Sequence, residues 1–232
     1  MCHNYFTSYK WSMLSDVTLM FLKILAENND TKWMHKNLDL YNHVREEFVH
    51  FVQEVIDRMS MIDAKLTWLS PKECMFRQNK DIRFSKDKSP YKTNFGVVIA
   101  PGGRKSSNAG LYIHIEPGKS FIGGGMYMPA PALWNKVRAY ISTHHKELTK
   151  ILQEKKFVET FNSILGEQVK TAPKWYAKDH PAIEFLKYKY IYINHPLTDA
   201  EVIGDGLLDT IIACYKAQRP FQDFLNEGVT AS

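Results

Sequence analysis

Hydrophobic residues recur at helical spacing in two segments near the start of the chain. In the longer one they lie three and four positions apart, which places them on one face of an amphipathic helix from about Thr31 to Met61. These positions are Tyr41, Val44, Phe48, Phe51, Val52, Val55, Ile56 and Met59. An earlier helix is predicted to begin at Ser15 and Asp16, since serine is a favoured N-cap, and to end at about Asn28.

Three short apolar segments follow in the middle of the chain. They cover residues 95–100, 111–116 and 121–128, and each is rich in β-branched or aromatic residues and bounded by glycine or proline. Their short spacers favour antiparallel strands joined by hairpins. The first spacer, residues 101–108, is polar and predicted to be mobile, whereas the second, residues 117–119, predicts a tight turn.

Helical patterns return after Pro129 and Pro131, in residues 133–141, in two short helices up to residue 164, and in residues 208–215. An alternating segment at residues 188–193 predicts one more strand. Helices, then strands, then helices indicate an α+β fold in a single domain, with an antiparallel sheet of about four to six strands flanked by helices. The first dozen residues lack periodicity, so we expect an extension at 1–12 and one globular domain at 13–232.

Composition excludes several classes of protein. A chain of 232 residues with 44% hydrophobic content can bury the core of one sizeable domain. Its three cysteines, Cys2, Cys74 and Cys214, form no Cys-x-x-Cys pair, which argues against a disulfide framework or a zinc site and fits a reducing compartment. The sequence contains no run of about 18 apolar residues, so no membrane span is predicted. No metal or cofactor is expected.

Positive charge is concentrated in one segment, residues 77–105. The segment has a net charge of +6, against a formal +5 for the whole chain, so the remainder is close to neutral. A local concentration of this kind indicates an anionic partner. The bases are Arg77, Lys80, Arg83, Lys86, Lys88, Lys92, Arg104 and Lys105, and the acids are Asp81 and Asp87.

The first part of this segment contains most of the candidate ligand-binding residues. They are Arg77, Lys80, Asp81, Arg83, Asp87, Lys88, Tyr91, Lys92 and Asn94. Arginine offers a planar fork to phosphate or carboxylate, and lysine a point charge. Because the residue before Pro90 is disfavoured in a helix, we expect a strand to about Phe84 and then an ordered loop. The structural alternative is that the two aspartates pair with Arg83 and Lys88 and hold the loop together.

Two further features carry candidate chemistry. His114 and Glu116 lie two residues apart on a predicted strand, so they share one face and are the acid–base candidates, although a structural pair would look the same. Residues 102–107 contain Gly-Gly-Arg-Lys-Ser-Ser but lack the spacing of a phosphate-binding loop. We therefore interpret Arg104 and Lys105 as a secondary, flexible basic tip.

The segment from Arg77 to Asn94 resembles a known signature, Arg-x-x-Arg-Asp-x-Arg-Phe-x-x-x-Asp/Asn-Lys-x-Pro-Tyr-Lys-x-Asn. It is the signature of a bacterial family called domain of unknown function 2461, and the resemblance extends over nearly the whole chain from about Leu14. The chain departs from the pattern at Lys80, where arginine is usual, and at Leu38, where lysine is expected. The resemblance implies a cytoplasmic bacterial setting but no activity.

These observations lead to three hypotheses. The first is a binder or enzyme of a small anionic ligand that bears phosphate or carboxylate, held by Arg77, Arg83, Lys88 and Lys92. It predicts that Arg83 and Lys92 converge in one concave pocket, and it leaves open whether a reaction is catalysed. The alternative is a nucleic-acid-binding module in which the same bases and the Arg104-Lys105 tip follow phosphates. A second alternative is a protein-interaction domain whose signature loop is structural.

Overall fold

The computed structural model describes residues 13–231 and confirms the predicted α+β fold, with one antiparallel sheet flanked by helices. The extension predicted at residues 1–12 lies outside the described part of the chain. The helices are α1 (Asp16–Glu27), α2 (Thr31–Lys36), α3 (Leu38–Ser60), α4 (Pro71–Cys74), α5 (Pro131–Gln153), α6 (Lys155–Phe161), α7 (Ile183–Leu186), α8 (Asp199–Val202) and α9 (Leu207–Thr230). The strands are β1 (Phe95–Ile99), β2 (Gly110–Ile115), β3 (Phe121–Met126) and β4 (Ile191–Pro196).

The four strands lie side by side in chain order, β1-β2-β3-β4, and every neighbouring pair is antiparallel. The three central apolar segments are therefore strands joined by hairpins, as predicted. The fourth strand returns to the sheet after α5, α6 and α7 and pairs with β3. In this register Gly123 of β3 faces Asn194 of β4, and Tyr112 of β2 faces Gly123 from the other side.

One face of the sheet is buried and the other is open. Val97, Ile113, Ile122 and Ile193 point to the same side, where α3 and α9 pack, and none of them is exposed to solvent. Alternation along the strands sends the intervening residues to the opposite face. On that face the side chains are only half-buried. The open face of the sheet is therefore the surface on which a ligand could be placed.

The long helix predicted for residues 31–61 is in fact two helices. Asn37 separates α2 from α3 with a backbone conformation of φ −113° and ψ 23°, and its side-chain amide donates to the carbonyl of Trp33 at 2.9 Å. An asparagine side chain that satisfies a backbone carbonyl offers the chain an alternative to the next helical turn. The apolar positions that predicted the helix begin at Tyr41, after the break, so their periodicity did not reveal it.

Helix α1 begins where predicted, but a distant residue caps it. The Ser15 backbone N–H and hydroxyl both donate to the carboxylate of Glu47, the hydroxyl at 2.8 Å, and the Thr18 hydroxyl donates to it at 3.3 Å. Glu47 lies on α3 and is buried. Its charge is favourable at this place because the free N–H groups of a helix N-terminus attract anions. This cap fastens α1 to α3.

The C-terminal half also differs from the sequence prediction in its helix boundaries. Residues 131–153 are continuous as α5, but two helical pieces meet there at a kink at His144, where φ is −112° and ψ is 19°. The first of the two short helices predicted after residue 141 is the second piece of α5, and it follows the kink without an intervening loop. Pro131 lies in the first turn of α5, where a missing N–H costs nothing.

We predict that replacing Glu47 with alanine will destabilise the fold by about 1–3 kcal/mol, because the α1 N-terminus loses its cap and buried donors lose their acceptor. Urea unfolding followed by circular dichroism measures the change. Glu46→Ala is the matched control, since Glu46 is the exposed neighbour on the same helix. Equal losses in the two variants would contradict a capping role for Glu47.

Candidate functional site

Residues 77–94, named here the signature ribbon, form two extended arms joined by a turn. Asn79 and Tyr91 form an isolated β-bridge, the Lys80 N–H donates to the carbonyl of Pro90 at 2.8 Å, and the Lys92 N–H donates to that of Gln78 at 2.9 Å. The strand predicted up to Phe84 does not form, and residues 81–89 lie in the turn region. Pro90 has no N–H to donate, which limits how far the two arms can pair.

An asparagine from the helical layer holds the ribbon in place. The Asn29 side chain donates to the Tyr91 carbonyl at 2.9 Å and accepts from the Tyr91 N–H at 3.0 Å. The Asn29 side chain therefore pairs with both backbone groups of Tyr91, as a residue of a neighbouring strand would. The Tyr91 side chain is buried in the hydrophobic core. Tyr91 thus anchors the ribbon, and its ring is not offered to a ligand.

Several of the predicted ligand-binding bases are paired inside the ribbon. Arg83 donates to Asp81 through two nitrogens, at 2.9 and 2.6 Å, and Lys80 contacts Asp87 at 2.8 Å. These hydrogen bonds hold the pKa values of both carboxyl groups below their usual range. Lys88 donates to the carbonyl of Ile82 at 3.0 Å. Asp81 pairs with Arg83 as the structural alternative proposed, whereas Asp87 pairs with Lys80 and not with Lys88.

Arg83 and Lys92 do not converge. Arg83 lies in the turn of the ribbon with its side chain 76% exposed. Lys92 lies at the base, half-buried, with its ammonium 5.0 Å from the centre of the Phe76 ring. Burial, together with the positive charge of Arg77, lowers the pKa of Lys92. The ribbon therefore divides into an exposed tip and a base that packs against the sheet.

Next to the base of the ribbon, the ring of the preceding residue, Phe76, contacts the open face of the sheet. Phe76 meets Tyr112 edge-on, with ring centres 6.3 Å apart. This approach depends on Gly96, because a β-carbon there would lie 3.0 Å from the Tyr112 hydroxyl and 3.4 Å from both Phe76 and the Asn94 amide. Asn94, another predicted ligand residue, lies 3.4 Å from His114.

The predicted acid–base pair is found on this face. His114 Nε2 lies 3.0 Å from Glu116 Oε2, and the Thr93 hydroxyl donates to the other Glu116 oxygen at 3.0 Å. Burial by itself raises the pKa of Glu116, but the hydrogen bonds from His114 and Thr93 and the nearby charge of Lys119 outweigh it, so the pKa is lowered. Glu116 is thus held in its ionised form beside the imidazole.

Two aromatic side chains complete the surroundings of His114. The Phe121 ring stacks on the imidazole with centres 4.8 Å apart and an interplanar angle of 16°. The Tyr112 hydroxyl lies 2.9 Å from His114 Nδ1. Burial and the charge of Glu116 raise the pKa of Tyr112 to about 12, so this hydroxyl stays protonated at neutral pH. Both nitrogens of His114 therefore have polar neighbours.

A pocket of about 780 Å³ lies over this face. Glycines 123–125 of β3 contribute bare backbone to it, and aromatic rings and polar groups surround them. Its aromatic residues are Phe76, Tyr112, Phe121, Tyr127 and Tyr192. Its polar residues are Arg104, Ser106, Ser107, Asn108, His114 and Asn194. Apolar walls with a few polar groups are the usual composition of a small-molecule site.

Arg104 reaches the pocket from the hairpin between β1 and β2, which was predicted to be mobile. Residues 103–105 instead form a 3₁₀ turn against α4, and Arg104 Nη1 donates to the carbonyls of Lys72 at 2.5 Å and Glu73 at 3.0 Å. Gly103 makes this contact possible: it has φ +67°, and a β-carbon there would lie 2.7 Å from the Glu73 oxygen. Arg104 is thus fixed, while Lys105 is exposed and does not line the pocket.

Tyr112, Phe121, Tyr192 and Asn194 were not predicted as site residues. For Tyr112 a signal existed, because alternation along β2 places it on the same face as His114 and Glu116. The other three lie on β3 and β4, and only the strand register brings them beside His114.

Other kinds of site find little support within residues 13–231. No group of three or more potential metal ligands is present, and no helix combines the length and hydrophobicity required to cross a bilayer. The thiols of Cys74 and Cys214 are buried, which raises their pKa values to about 11 and about 12. Such thiols are poor nucleophiles because the thiolate is scarce at neutral pH.

Comparison with known proteins gives one match. A family model described as conserved hypothetical protein (DUF2461) matches residues 17–224. No curated protein and no solved structure matches the chain. The matched region includes the signature ribbon, the whole sheet and the pocket.

Replacing Asn29 with alanine is predicted to loosen the signature ribbon, since two backbone groups of Tyr91 lose their partners, at a cost of about 1–3 kcal/mol. Hydrogen exchange should show faster exchange at the Tyr91 amide and in its neighbours. Asn28→Ala is the control, because the Asn28 side-chain amide is exposed and donates to the carbonyl of Ile24 at the end of its own helix. Unchanged exchange at Tyr91 in Asn29→Ala would contradict the clamp.

Proposed function

The chain belongs to the DUF2461 family, and for this member we propose that it binds a small anionic ligand, bearing phosphate or carboxylate, in the pocket over the open face of the sheet. One observation carries the proposal: an arginine, a hydrogen-bonded histidine–glutamate pair and a set of aromatic rings all line or adjoin one pocket. Phe76, which precedes the signature ribbon, lines this pocket, and Lys92 and Asn94 at the base of the ribbon border it.

Arg104 is the cation proposed to hold the anion. Unlike Arg83, it forms no ion pair with a carboxylate anywhere in the described residues, so its charge is not neutralised locally. Its contacts with two backbone carbonyls fix its position before a ligand arrives. A preorganised guanidinium offers a planar fork to phosphate or carboxylate and loses little entropy on binding.

The His114–Glu116 pair favours an enzyme over a passive binder. An imidazole whose second nitrogen contacts a carboxylate is the usual arrangement of a general acid or base. Aromatic walls would hold an unsaturated or ring-shaped part of the ligand and exclude water. We therefore propose acid–base chemistry on the bound anion as the reaction type. We also propose a cytoplasmic bacterial setting, which agrees with the unpaired thiols of Cys74 and Cys214.

The first experiment is a thermal-shift screen of nucleotides and sugar phosphates. A ligand at 100 times its Kd adds about 2.7 kcal/mol, which corresponds to a rise in Tm of roughly 5–10 °C for a domain of this size. In Arg104→Gln the shift produced by the same compound should fall by at least half, while Lys105→Gln should keep it. Each variant is compared with its own ligand-free Tm. If no compound stabilises the wild type, the proposal fails.

A second candidate function is nucleic-acid binding, and the tip of the signature ribbon favours it. Phe84 is 94% exposed there, close in sequence to the exposed residues Lys86 and Lys88. An exposed ring beside basic residues can stack on an unpaired base while the bases contact phosphates. The pairing of Arg83 and Lys80 with aspartates reduces the available charge, which is why we place this candidate second.

Nucleic-acid binding is tested by fluorescence anisotropy with a labelled single-stranded oligonucleotide at 50 and 200 mM salt. If this function is correct, affinity falls steeply with salt, Arg104→Ala with Lys105→Ala weakens it, and Phe84→Ala weakens it by about 1–3 kcal/mol. Trp175→Ala is the control, because Trp175 is similarly exposed, at 87%, and lies outside the ribbon. Undetectable or salt-independent binding would exclude this candidate.

A further inference from the structure

Tyr112, His114 and Glu116 form a hydrogen-bonded row along β2. The Tyr112 hydroxyl is 2.9 Å from His114 Nδ1, and His114 Nε2 is 3.0 Å from Glu116 Oε2. Both imidazole nitrogens are therefore engaged within the row. The hydroxyl of Tyr112 stands at the end of the row, on a residue that lines the pocket. Tyr112 and His114 both line the pocket, and because both imidazole nitrogens are engaged, the Tyr112 hydroxyl is the group of the row that is left to contact a ligand.

Glu116 determines which nitrogen of the neutral imidazole carries the hydrogen. An ionised carboxylate can only accept hydrogen bonds, so the hydrogen lies on Nε2, and Nδ1 is left as an acceptor. The Tyr112 hydroxyl then donates its one hydrogen to Nδ1, and the Asn94 amide, at 3.4 Å from the same nitrogen, is a second donor. In this state the Tyr112 oxygen has only lone pairs to offer the pocket. It can accept a hydrogen bond from a ligand, but it repels an anion.

A second proton on His114 reverses this polarity. The proton, supplied by solvent, binds Nδ1, and the new N–H donates to the Tyr112 oxygen. The hydrogen of the phenol is then released from the imidazole and can be donated into the pocket. No covalent bond of the ligand or of Tyr112 breaks in this change. The Tyr112–His114 hydrogen bond reverses direction, the phenol hydrogen turns towards the pocket, the Asn94 amide loses Nδ1 as an acceptor, and the imidazole gains a positive charge.

We propose that Tyr112 is the hydroxyl that contacts the ligand, and that it donates to an anion only when His114 is doubly protonated, so that anion binding takes up one proton. This inference rests on the proposed function and specifies the form of its ligand. At low pH the row selects an anionic group without a hydrogen of its own, such as an ionised phosphate, sulfate or carboxylate. At high pH the same hydroxyl selects a hydroxyl or amide donor. In this binding step His114 and Glu116 act as positioning residues, and Tyr112 makes the contact with the ligand.

The groups that face His114 are consistent with such a switch. Glu116 of the same strand is the charged group in direct contact, and Lys119 of the following turn lies 3.7 Å from the second oxygen of that carboxylate. From β3, Phe121 stacks on the ring and carries no charge. The signature ribbon supplies the uncharged Asn94 and, farther away beside Phe76, the ammonium of Lys92. Arg104 lines the same pocket.

The test uses sulfate as the probe, because its charge is constant between pH 5.5 and 8.0. Titrations followed by two-dimensional NMR, with ionic strength held constant by chloride, give the Kd at each pH. Uptake of one proton makes binding weaker by up to about tenfold for each pH unit by which the pH rises. The shifted signals should be those of Tyr112, His114 and their neighbours. A Kd that does not depend on pH, or no sulfate binding at pH 5.5, would overturn the inference.

Three variants separate the role of the hydroxyl from simple attraction by a charged imidazole. Tyr112→Phe should bind sulfate at pH 5.5 as weakly as the wild type does at pH 8.0, and unchanged affinity at pH 5.5 would show that Tyr112 is not the contact. His114→Gln should lose the pH dependence. Tyr140→Phe, which removes a hydroxyl that donates to Glu227 and does not line the pocket, should keep it.

A measurement on the wild-type protein without ligand tests the same inference even if the variants fold poorly. Nitrogen-15 NMR of the wild-type imidazoles should find the hydrogen of neutral His114 on Nε2, and a hydrogen on Nδ1 would contradict the inference. The result is also separable from that of the thermal-shift screen. A compound that stabilises the protein equally at both pH values would leave the proposed function standing while excluding the proton-linked row.

Discussion

Hydrophobic burial of one sheet face is the constraint on which the rest of this structure depends. The strands β1 to β4 place aliphatic side chains such as Val97, Ile113 and Ile193 against α3 and α9, and this removal of apolar surface from water stabilises the fold. Because side chains alternate, every residue committed to that core sends its neighbours to the other face. The open face can therefore carry polar side chains, namely those of Tyr112, His114, Glu116 and Asn194.

The charged residues of the signature ribbon do not determine where the ribbon lies in the structure. Its ion pairs, Arg83 with Asp81 and Lys80 with Asp87, lie at or near the surface, where such pairs contribute little to stability. The ribbon is positioned instead by hydrogen bonds to backbone groups that are shielded from water, above all those between Asn29 and Tyr91. The charged residues shape the tip, whereas the amide and the buried ring fix the base.

The sequence predicted those parts of the molecule that are determined locally. Alternation at residues 95–128 identified the three central strands and placed His114 beside Glu116, and the apolar periodicity of α3 was equally clear. The failures involve partners that are distant in sequence. Glu47 caps α1 through Ser15, which lies 32 residues earlier, and no local pattern indicates this. The pocket combines a turn held by Gly103 with side chains from all four strands, so its existence depends on register and on backbone contacts that periodicity does not report.

The Asn29–Tyr91 contact also has a kinetic consequence. It joins residues 62 positions apart, and closing a loop of that length costs chain entropy before the two hydrogen bonds form. We expect the ribbon to gain its register late in folding, after α1 and β1 have docked. A segment that is secured by few long-range contacts is also expected to open at lower free energy than the core. The base of the ribbon borders the pocket, so transient opening there would give ligands a route into the site.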